Sequence, residues 1–548
     1  MKTISFSQLS QRTESFTPLF LDYLNNFSAV EKYYNGDYRS PDAFRKNLET
    51  LRFPQETRNV LANVLLEQAQ QYHAKSKAFE NIELLKKENT FAVVTGQQVG
   101  IFLGPLYTLY KTLTTIKLAE KLSTEFPEYN FVPVFWMEGE DHDFAEANSL
   151  TMLDTEFQPK KFTYNIGGIP HEENLGAVGE VIFDFFFNDF KTSVFGLLSK
   201  TEFSENVLHV YSQCYRDGVS FNMAFAQLMN ELLGESGLIF LYPNDWRLKK
   251  ITSTLFKKEL EEFPRSSQSI IERSAELEEN YHAQIKPRAL NLFLFHNGKR
   301  HAIEPTEGKF FLKGTHTFFS KEELQTMLET TPESFSPNVV LRPLCQDTLL
   351  PTISYVGGPS EIAYFAQLQP LYEYFGVAMP IIYPRASITL IEPRVVKFAE
   401  KYRWEYAELL NDRTALTKQF SNKLSEVSLE EIFINKEKQI LAELETLLPS
   451  LQNTDATLSG AYETAKNKIL YQLSSLKERA MAAQQKKQST SIQQLEKAAN
   501  SVFPNEHLQE RTLNLLYFLN KYGLGMVEKI RKEISMDTFE HQLVEINL

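Results

Sequence analysis

Cysteine is scarce: Cys214 and Cys345 are the only two in 548 residues. Two cysteines cannot build a disulfide framework or a four-cysteine zinc site. They read as buried thiols of a protein kept in a reducing cytosol. Long apolar runs are absent as well. The longest, Phe131–Met137 and Gly237–Tyr242, fall far short of the about 20 residues needed to cross a bilayer. The opening stretch, MKTISFSQLSQRTESF, has no apolar region behind Lys2. No secretory leader is therefore expected, and the chain is expected to be cytoplasmic and independent of membranes. No basic stripe of any length occurs, and 57 Lys and Arg stand against 70 Asp and Glu, a net charge of −13. That balance excludes a general nucleic-acid binder. It leaves room for a small anion, because a local arginine or helix N-terminus can outweigh the global field.

What is present is an ordinary globular balance, with 43% hydrophobic and 23% charged residues. The length corresponds to roughly three to four domain-sized units at about 150 residues each. Aromatics reach 13%, with 42 Phe and 24 Tyr, so large rings fill much of any core.

Residues 1–88 read as a helical segment packing on the rest. Within it Asn59–Leu84 lacks Gly and Pro and places Leu61, Val64, Leu65 and Ala69 on one helical face. An α/β rhythm then starts at about residue 89 and runs to 388. Phe91–Thr95 is a short apolar run closed by Gly96, a buried strand with a tight turn. A helix from Pro105 to Leu122 and a second strand, Phe131–Met137, complete a βαβ unit with parallel strands. Residues from about 150 to 235, with the Phe-rich patch VIFDFFFNDF at 181–190, read as a mostly helical insertion. The rhythm resumes with strands at Gly237–Tyr242, Leu292–Phe295 and Phe310–Leu312, a helix from Trp246, and a turn at His296–Lys299. Val339–Leu341 reads as the start of another core strand, Ser354–Glu361 as a loop leading into a helix, and Pro380–Pro384 as a last short strand. From 389 to 548 strands vanish and the pattern is helical. Tyr462, Ala465, Ile469, Gln472, Leu476 and Ala483 fall near a heptad seam, and 481–495 is strongly polar. An antiparallel hairpin or coiled-coil arm is expected there, although a plain helical bundle fits the periodicity equally.

Three motifs carry candidate chemistry. Thr95-Gly-Gln-Gln-Val-Gly-Ile-Phe-Leu-Gly-Pro-Leu-Tyr107 joins the first strand to its helix. In open α/β sheets ligands bind at such strand ends. Gly96, Gly100 and Gly104 let backbone approach a ligand, and the N–H groups of the helix start favour a phosphate or carboxylate. The loop is neither a Walker A motif nor GxGxxG. Its bland alternative is a tightly packed turn. Glu138-Gly-Glu-Asp-His-Asp-Phe-Ala-Glu146 follows the second strand and should lie beside the first loop. If helical, Glu138, His142 and Glu146 share one face. Such a cluster can bind a metal, orient an amine or move protons. An acidic helix N-terminus explains one or two of these acids, not all of them. Tyr355-Val-Gly-Gly-Pro-Ser-Glu-Ile-Ala-Tyr364 combines a flexible Gly357-Gly358 turn with Ser360 and Glu361 in the first turn of a helix, and an ordinary capped start fits it as well. Asn338, Arg342 and Asp347 lie upstream and Arg385 downstream, and Arg342 and Arg385 could clamp a carboxylate or phosphate bidentately. Each Arg alone is more often a salt-bridge partner.

TGQQVGIFLGPLY, PVFWMEGEDHDFAE and YVGGPSEIAYFAQ together resemble the BshC family, cysteine-adding enzymes of bacillithiol biosynthesis. VFPNEHLQERTLNLLYFLNKYG at 502–523 resembles the C-terminal signature of the same family. The resemblance runs in order over nearly the whole chain. It implies a Rossmann-like core with connecting insertions, akin to class I nucleotidyl-transferring enzymes, and a C-terminal coiled coil that forms a homodimer. The implied reaction joins the carboxyl of L-cysteine to the amine of glucosaminyl-malate. Amide formation from a free carboxylate is uphill in water, so ATP with magnesium is the expected activating donor, through an adenylate or acyl phosphate. The HIGH and KMSKS motifs of class I synthetases are absent. On this reading Thr95, Gly96, Gln97, Gln98, Gly104 and Tyr107 hold the nucleotide or carboxylate. Asp141, His142 or Asp143 orients and deprotonates the amine, with Glu138 beside them. Gly357, Gly358, Ser360 and Glu361 close the far side, Arg342 or Arg385 binds the malate carboxylates, and Asn338 is a further substrate- or nucleotide-binding candidate. Two rivals remain open. A metal-dependent hydrolase would hold a divalent ion through Asp141, His142 and Asp143, although no second His stands nearby. A non-enzymatic assembly protein would act through its coiled-coil arm.

Overall fold

A computed structural model describes residues 2–13, 16–170, 174–424, 429–487 and 489–546. Gln488, within the polar stretch 481–495, lies outside the described residues. The chain separates into two compact units. Residues 1–390 and 507–548 form one, and 391–506 the other. No described helix is long and apolar enough to cross a membrane.

The first unit is organised by a five-stranded parallel sheet. Its strands are β1 (Thr90–Gln98), β2 (Asn130–Glu138), β3 (Ile239–Leu241), β4 (Thr352–Gly357) and β5 (Ile381–Pro384), in the order β5-β4-β1-β2-β3. Each neighbouring pair is parallel, and β1 and β2 are in register from Thr90 opposite Asn130 to Gln98 opposite Glu138. The chain runs outward from β1 to β3, then returns to the other side of β1 to lay down β4. Between β1 and β4 lies the point where strand order reverses. Both faces are covered, which is why the strands read as almost uninterrupted apolar runs.

Helix α1 (Leu106–Glu125) crosses from β1 to β2 and is buried on nearly every side. It accommodates three of its buried threonines by turning hydroxyls back onto its own carbonyls. Thr112 donates to Thr108 O at 2.8 Å, Thr114 to Tyr110 O at 2.7 Å and Thr115 to Lys111 O at 2.9 Å.

Elsewhere the structure departs from the sequence pattern for local reasons. The expected helix at Asn59–Leu84 is two, Gln55–Gln71 and Ser76–Leu85. His73 adopts φ +55°, and Ala74 N donates to Ala69 O at 2.9 Å while His73 N donates to Gln70 O at 3.2 Å. This is a Schellman stop with histidine where glycine is usual, so the glycine signal was missing. Val339–Leu341 is not a strand. The Asn338 side chain accepts from Val340 N at 2.9 Å and Leu341 N at 3.2 Å, turning the chain into helix α2 (Arg342–Leu349). Ser354–Gly357 is not loop but the outer part of β4.

Residues 292–337 build a separate antiparallel sheet of five strands, with Asn297 and Gly298 at φ +50° and +72° in its tight hairpin turn. The 150–235 stretch holds the helices Phe187–Leu197, Ser204–Cys214 and Phe221–Leu233, and also a two-stranded hairpin at Ser149–Leu153 and Pro159–Thr163. Phe183, Phe187 and Phe190 of the aromatic patch are buried against Tyr164, while Phe185 and Phe186 face outward. Strands do not vanish after residue 390, because His541–Glu545 pairs with Lys2–Ile4 and lies beside Ser387–Ile391. Cys214 and Cys345 are free and buried.

The second unit contains two long helices, Leu429–Thr454 and Leu458–Lys487, that pack on each other across a short turn. Lys477, late in the second, reaches Glu430, early in the first, at 3.5 Å, as an antiparallel hairpin requires. The seam differs from the expected one. Tyr462, Lys466, Leu470, Leu473, Lys477, Ala480 and Gln484 are the shielded heptad positions, while Ala465, Ile469, Gln472, Leu476 and Ala483 are exposed. The lysine stems cover apolar surface with their charges outside, which disguised them in the pattern.

Phe135, fully buried at the centre of β2, packs its ring at a tilt against Phe225 and Phe240. Phe135→Ala is expected to destabilise the first unit by about 3–5 kcal/mol, read as a lowered midpoint in thermal unfolding.

Candidate active site

A cavity of about 690 Å³ opens at the C-terminal ends of β1, β2 and β4. It lies at the reversal of strand order, where open α/β sheets bind ligands. Parallel strands and their crossovers bring all three sequence motifs to this one place.

The floor is a buried ion pair. Lys111, in the first turns of α1, donates to Gly96 O at 2.6 Å and Gln97 Oε1 at 3.2 Å, and its Nζ lies 2.7 Å from Glu361 Oε2. Glu361 stands in the first turn of helix α3 (Pro359–Phe375), accepting from Tyr355 OH at 2.6 Å and Gly358 N at 2.7 Å. Burial lowers the Lys111 ammonium, with Glu361 pulling the other way. Burial also opposes ionisation of Glu361, but Lys111 and the two donors outweigh it and hold the carboxyl below its usual range.

The wall after β2 is built from the acidic motif. Asp141 accepts from Gln98 Nε2 at 2.7 Å, His142 N at 2.7 Å and Arg300 Nη1 at 3.1 Å. Burial alone would raise it, yet these donors and the Arg300 charge keep it well below the ordinary carboxylate range. His142 places Nδ1 3.2 Å from Asp141 Oδ1 and 3.3 Å from Arg300 Nη1. Arg300 is buried, donates to Ser336 Oγ and Pro337 O, and lies over the Phe293 ring at 4.0 Å. Glu138, at the tip of β2, accepts from Trp136 Nε1 at 2.9 Å through Oε2, which is 3.9 Å from Arg342 Nε. Burial pushes Glu138 up to about 7 against the pull of Arg342, helped by the nearby charges of Glu140 and Asp141. Glu146 is also raised, by burial and then by Asp143 and Asp141.

Several expectations are corrected by this geometry. Glu138, His142 and Glu146 do not share a helical face, because Glu138 ends a strand and only Phe144–Ala147 is helical. Asp143 does not line the cavity. It caps that short helix, accepting from Glu146 N at 3.2 Å. Glu140 is buried in an ion pair with Lys249 away from the cavity. The glycine loop is not an open anion cradle. Gly96, Gln97, Gln98 and Tyr107 line the cavity, but Gly104 does not. The backbone N–H groups of Gly100, Leu103, Gly104 and Leu106 are already bonded to protein carbonyls, and Asn514 clamps Phe102 O and Gly104 O. Thr95 is also outside, donating to Val356 O at 2.9 Å across the β1–β4 junction, and Gly357 ends β4 behind the lining. Gly358, Ser360, Glu361, Asn338, Arg342 and Arg385 do line it. Arg385 is not a free clamp, since Glu510 takes Nη2 at 2.6 Å and Ala386 O takes Nη1 at 2.9 Å.

Two models of known domains match the chain. Residues 3–386 match the "Bacillithiol biosynthesis BshC, N-terminal Rossmann-like domain", and residues 388–546 match the "Bacillithiol biosynthesis BshC, C-terminal coiled-coil domain". The chain belongs to the BshC family. A protein of Salinibacter ruber is 37% identical over 536 residues, covering 97% of each chain. One from Chloroherpeton thalassium is 35% identical over 561 residues, covering 99% of each. A Chlorobaculum tepidum relative is 34% identical over 570 residues, again covering 99% of each. All three carry the name "Putative cysteine ligase BshC".

The motifs of this BshC member leave out several cavity residues. Lys111 was hidden in the apolar, threonine-rich first half of its helix, and its signal was the single charge between Leu106 and Ile116. Arg300 stands in the strand after the hairpin turn, and Lys286 and Arg288 come from the connection before it. Arg511 belongs to the C-terminal signature. Seven cationic side chains line the cavity against the carboxylates of Glu138, Asp141, Glu146 and Glu361. The side chains of Lys286 and Arg511 make no hydrogen bond or ion pair with a described residue, and the buried Nη2 of Arg342 has no hydrogen-bond partner.

Glu138 binds its proton more tightly folded than unfolded. Its contribution to stability is therefore present below the usual carboxylate range and is lost as pH rises through about 7. The thermal midpoint of Glu138→Gln, measured from pH 5 to 8.5, is expected to fall less across this window than that of the parent chain.

Proposed function

We propose that this protein is the ligase that joins the carboxyl of L-cysteine to the amine of glucosaminyl-malate, forming the amide of bacillithiol. The observation that carries the reading is the cationic cavity at the strand-order reversal of a chain with net charge −13. Malate brings two carboxylates, and the groups available to them are Lys286, Arg511 and the bare Nη2 of Arg342. Family membership and the names of the relatives support the same chemistry.

ATP with magnesium would supply activation of the cysteine carboxyl. The donor set suits a polyanion: of the available cations, Lys286 and Arg511 would hold phosphate oxygens, leaving Arg342 to the malate carboxylates. Gln97, Gln98 and Tyr107 form the polar wall beside them. Asp141, fixed by Arg300 and Gln98, holds His142 at the cavity edge, where the imidazole orients the sugar amine. Asp143 serves this arrangement only by capping the helix that follows.

The geometry gives the hydrolase alternative little support. Among the described residues no three His, Cys, Asp or Glu side chains converge on a common point that could hold a metal. The helical arm belongs to the reading as a dimerisation element. Its exposed face carries Ile469 and Leu476, at 39% and 57% exposure, together with Ile432 and Leu447 of the other helix.

Purified protein incubated with cysteine, glucosaminyl-malate, ATP and magnesium is expected to form bacillithiol, detected by mass spectrometry, and to need ATP. His142→Ala is expected to lower the rate on the order of 100-fold, the effect of misplacing a reacting group by about 1 Å. A folded sample that makes no amide under these conditions would sink the reading. Replacing both Ile469 and Leu476 by Glu is expected to convert a dimer to a monomer in light scattering, and an unchanged mass would remove the arm from the interface.

A further inference from the structure

Of the four carboxylates lining the cavity, two are committed to fixed partners. Glu361 is saturated by Lys111, Tyr355 and Gly358 N. Asp141 is held by Arg300, Gln98 and its own neighbour's backbone. Glu146 lines the cavity too, but from the short helix capped by Asp143, as an exposed side chain rather than one held at a strand tip. Glu138 differs. Both of its contacts, from Trp136 and Arg342, fall on Oε2, and no described residue donates to Oε1. Its side chain is 20% exposed, and what it faces is the cavity.

From this geometry we infer that Glu138 is the base that takes the proton from the substrate ammonium before the amine attacks. The inference rests on the ligase reading. An ammonium has no lone pair, so one N–H bond must break before the C–N bond can form. That proton passes to Oε1 of Glu138, the electron pair stays on nitrogen, and the carboxylate becomes a neutral carboxylic acid. The amine then attacks the activated cysteinyl carbonyl, displacing an oxygen leaving group of the phosphate-ester class. The second amine proton departs with that group or to water.

The surroundings suit such a role. A base works best when its affinity for protons matches the working pH, and Glu138 is balanced near neutrality. Arg342 of α2 and Arg300 of the neighbouring antiparallel sheet favour its charge. Burial, Glu140 and Asp141 oppose it, and Cys345 and Tyr364 complete the ionisable groups nearby. Trp136 fixes Oε2 and so leaves Oε1 as the working atom. Asp141, kept anionic and tied to Arg300, is a poor acceptor by comparison.

Two measurements test the assignment. In the first, kcat for amide formation is followed from pH 5.5 to 9 for the parent chain, Glu138→Gln and Glu138→Asp. The expected result is a fall in kcat for Glu138→Gln of about 10²–10⁴-fold, with KM for glucosaminyl-malate changed far less. The acid limb near pH 7 is expected to disappear with it, and the Asp variant is expected to restore part of the rate. Full activity in Glu138→Gln with an unchanged acid limb would overturn the inference.

The second measurement does not depend on turnover. Calorimetric binding of glucosaminyl-malate alone is expected to tighten as pH rises through 7 in the parent chain, because the ammonium meets an ionised Glu138. In Glu138→Gln that pH dependence is expected to be weaker. Equal pH dependence in the two proteins would overturn the assignment while leaving the ligase reading intact. No binding to the parent chain at any pH would overturn the ligase reading itself, and the assignment with it.

Discussion

The Lys111–Glu361 pair is the constraint on which the site depends. It lies where the sheet reverses its order and joins α1, which follows β1, to α3, which follows β4. No backbone hydrogen bond could make that connection, since helix ends leave their polar groups to other partners. Taking an ammonium and a carboxylate out of water is costly, and removing one partner of such a pair commonly costs about 3–5 kcal/mol. Here each charge is further satisfied by Gly96 O, Gln97, Tyr355 and Gly358 N. Such complete satisfaction makes a buried pair specify one arrangement rather than merely tolerate it. The strand tips that carry Gln97, Gln98 and Tyr355 are thereby held at fixed spacing around the cavity.

A second clamp comes from the far end of the sequence. Glu510 accepts from Arg385, Ser387 and Ile388 N, and Asn514 takes the carbonyls of Phe102 and Gly104. The glycine loop thus turns its backbone toward protein instead of ligand. Its glycines serve close packing, as Gly96 shows: a Cβ there would come within 3.2 Å of Trp136 O on the adjacent strand. Anion recognition falls to side chains in consequence. That is why a chain with excess acid can offer a cationic cavity: the surplus carboxylates lie elsewhere, and field strength at a site is set by the charges within a few ångströms.

How much of this was legible in the sequence follows from which forces are local. The parallel core could be read because strands buried on both faces are apolar without interruption, as at Phe131–Met137. The hairpin at His296–Lys299 could be read because Asn-Gly favours positive φ. The meeting of the three motifs followed from the parallel topology. Where a long-range partner decided the conformation, the pattern was silent. Residues 507–548 return to the α/β unit because Glu510, Asn514 and His541 find buried partners there, and none of those partners is near in sequence. The break at His73 was hidden because histidine occupied a position that glycine usually marks. Lys111, Arg300 and Arg511 were missed because a lone basic residue is indistinguishable from a surface charge until the fold surrounds it.

The acidic motif shows how a cluster of like residues divides its labour once folded. Five ionisable groups stand between Glu138 and Asp143, and their environments separate them. Glu140 is spent on Lys249 beneath the surface, Asp143 on a helix cap, and Asp141 on Arg300 and Gln98. Desolvation raises Glu138 while charge pairing lowers Asp141, so two carboxyl groups three residues apart titrate on opposite sides of the usual range. Such divergence does not arise from sequence spacing, since both belong to the same few residues. It arises because β2 ends at Glu138, leaving that side chain at the strand tip near Trp136 and Arg342, whereas the next three residues turn Asp141 toward the antiparallel sheet and its arginine. The strand end is therefore what separates a fixed counter-charge from a carboxyl group free to exchange a proton.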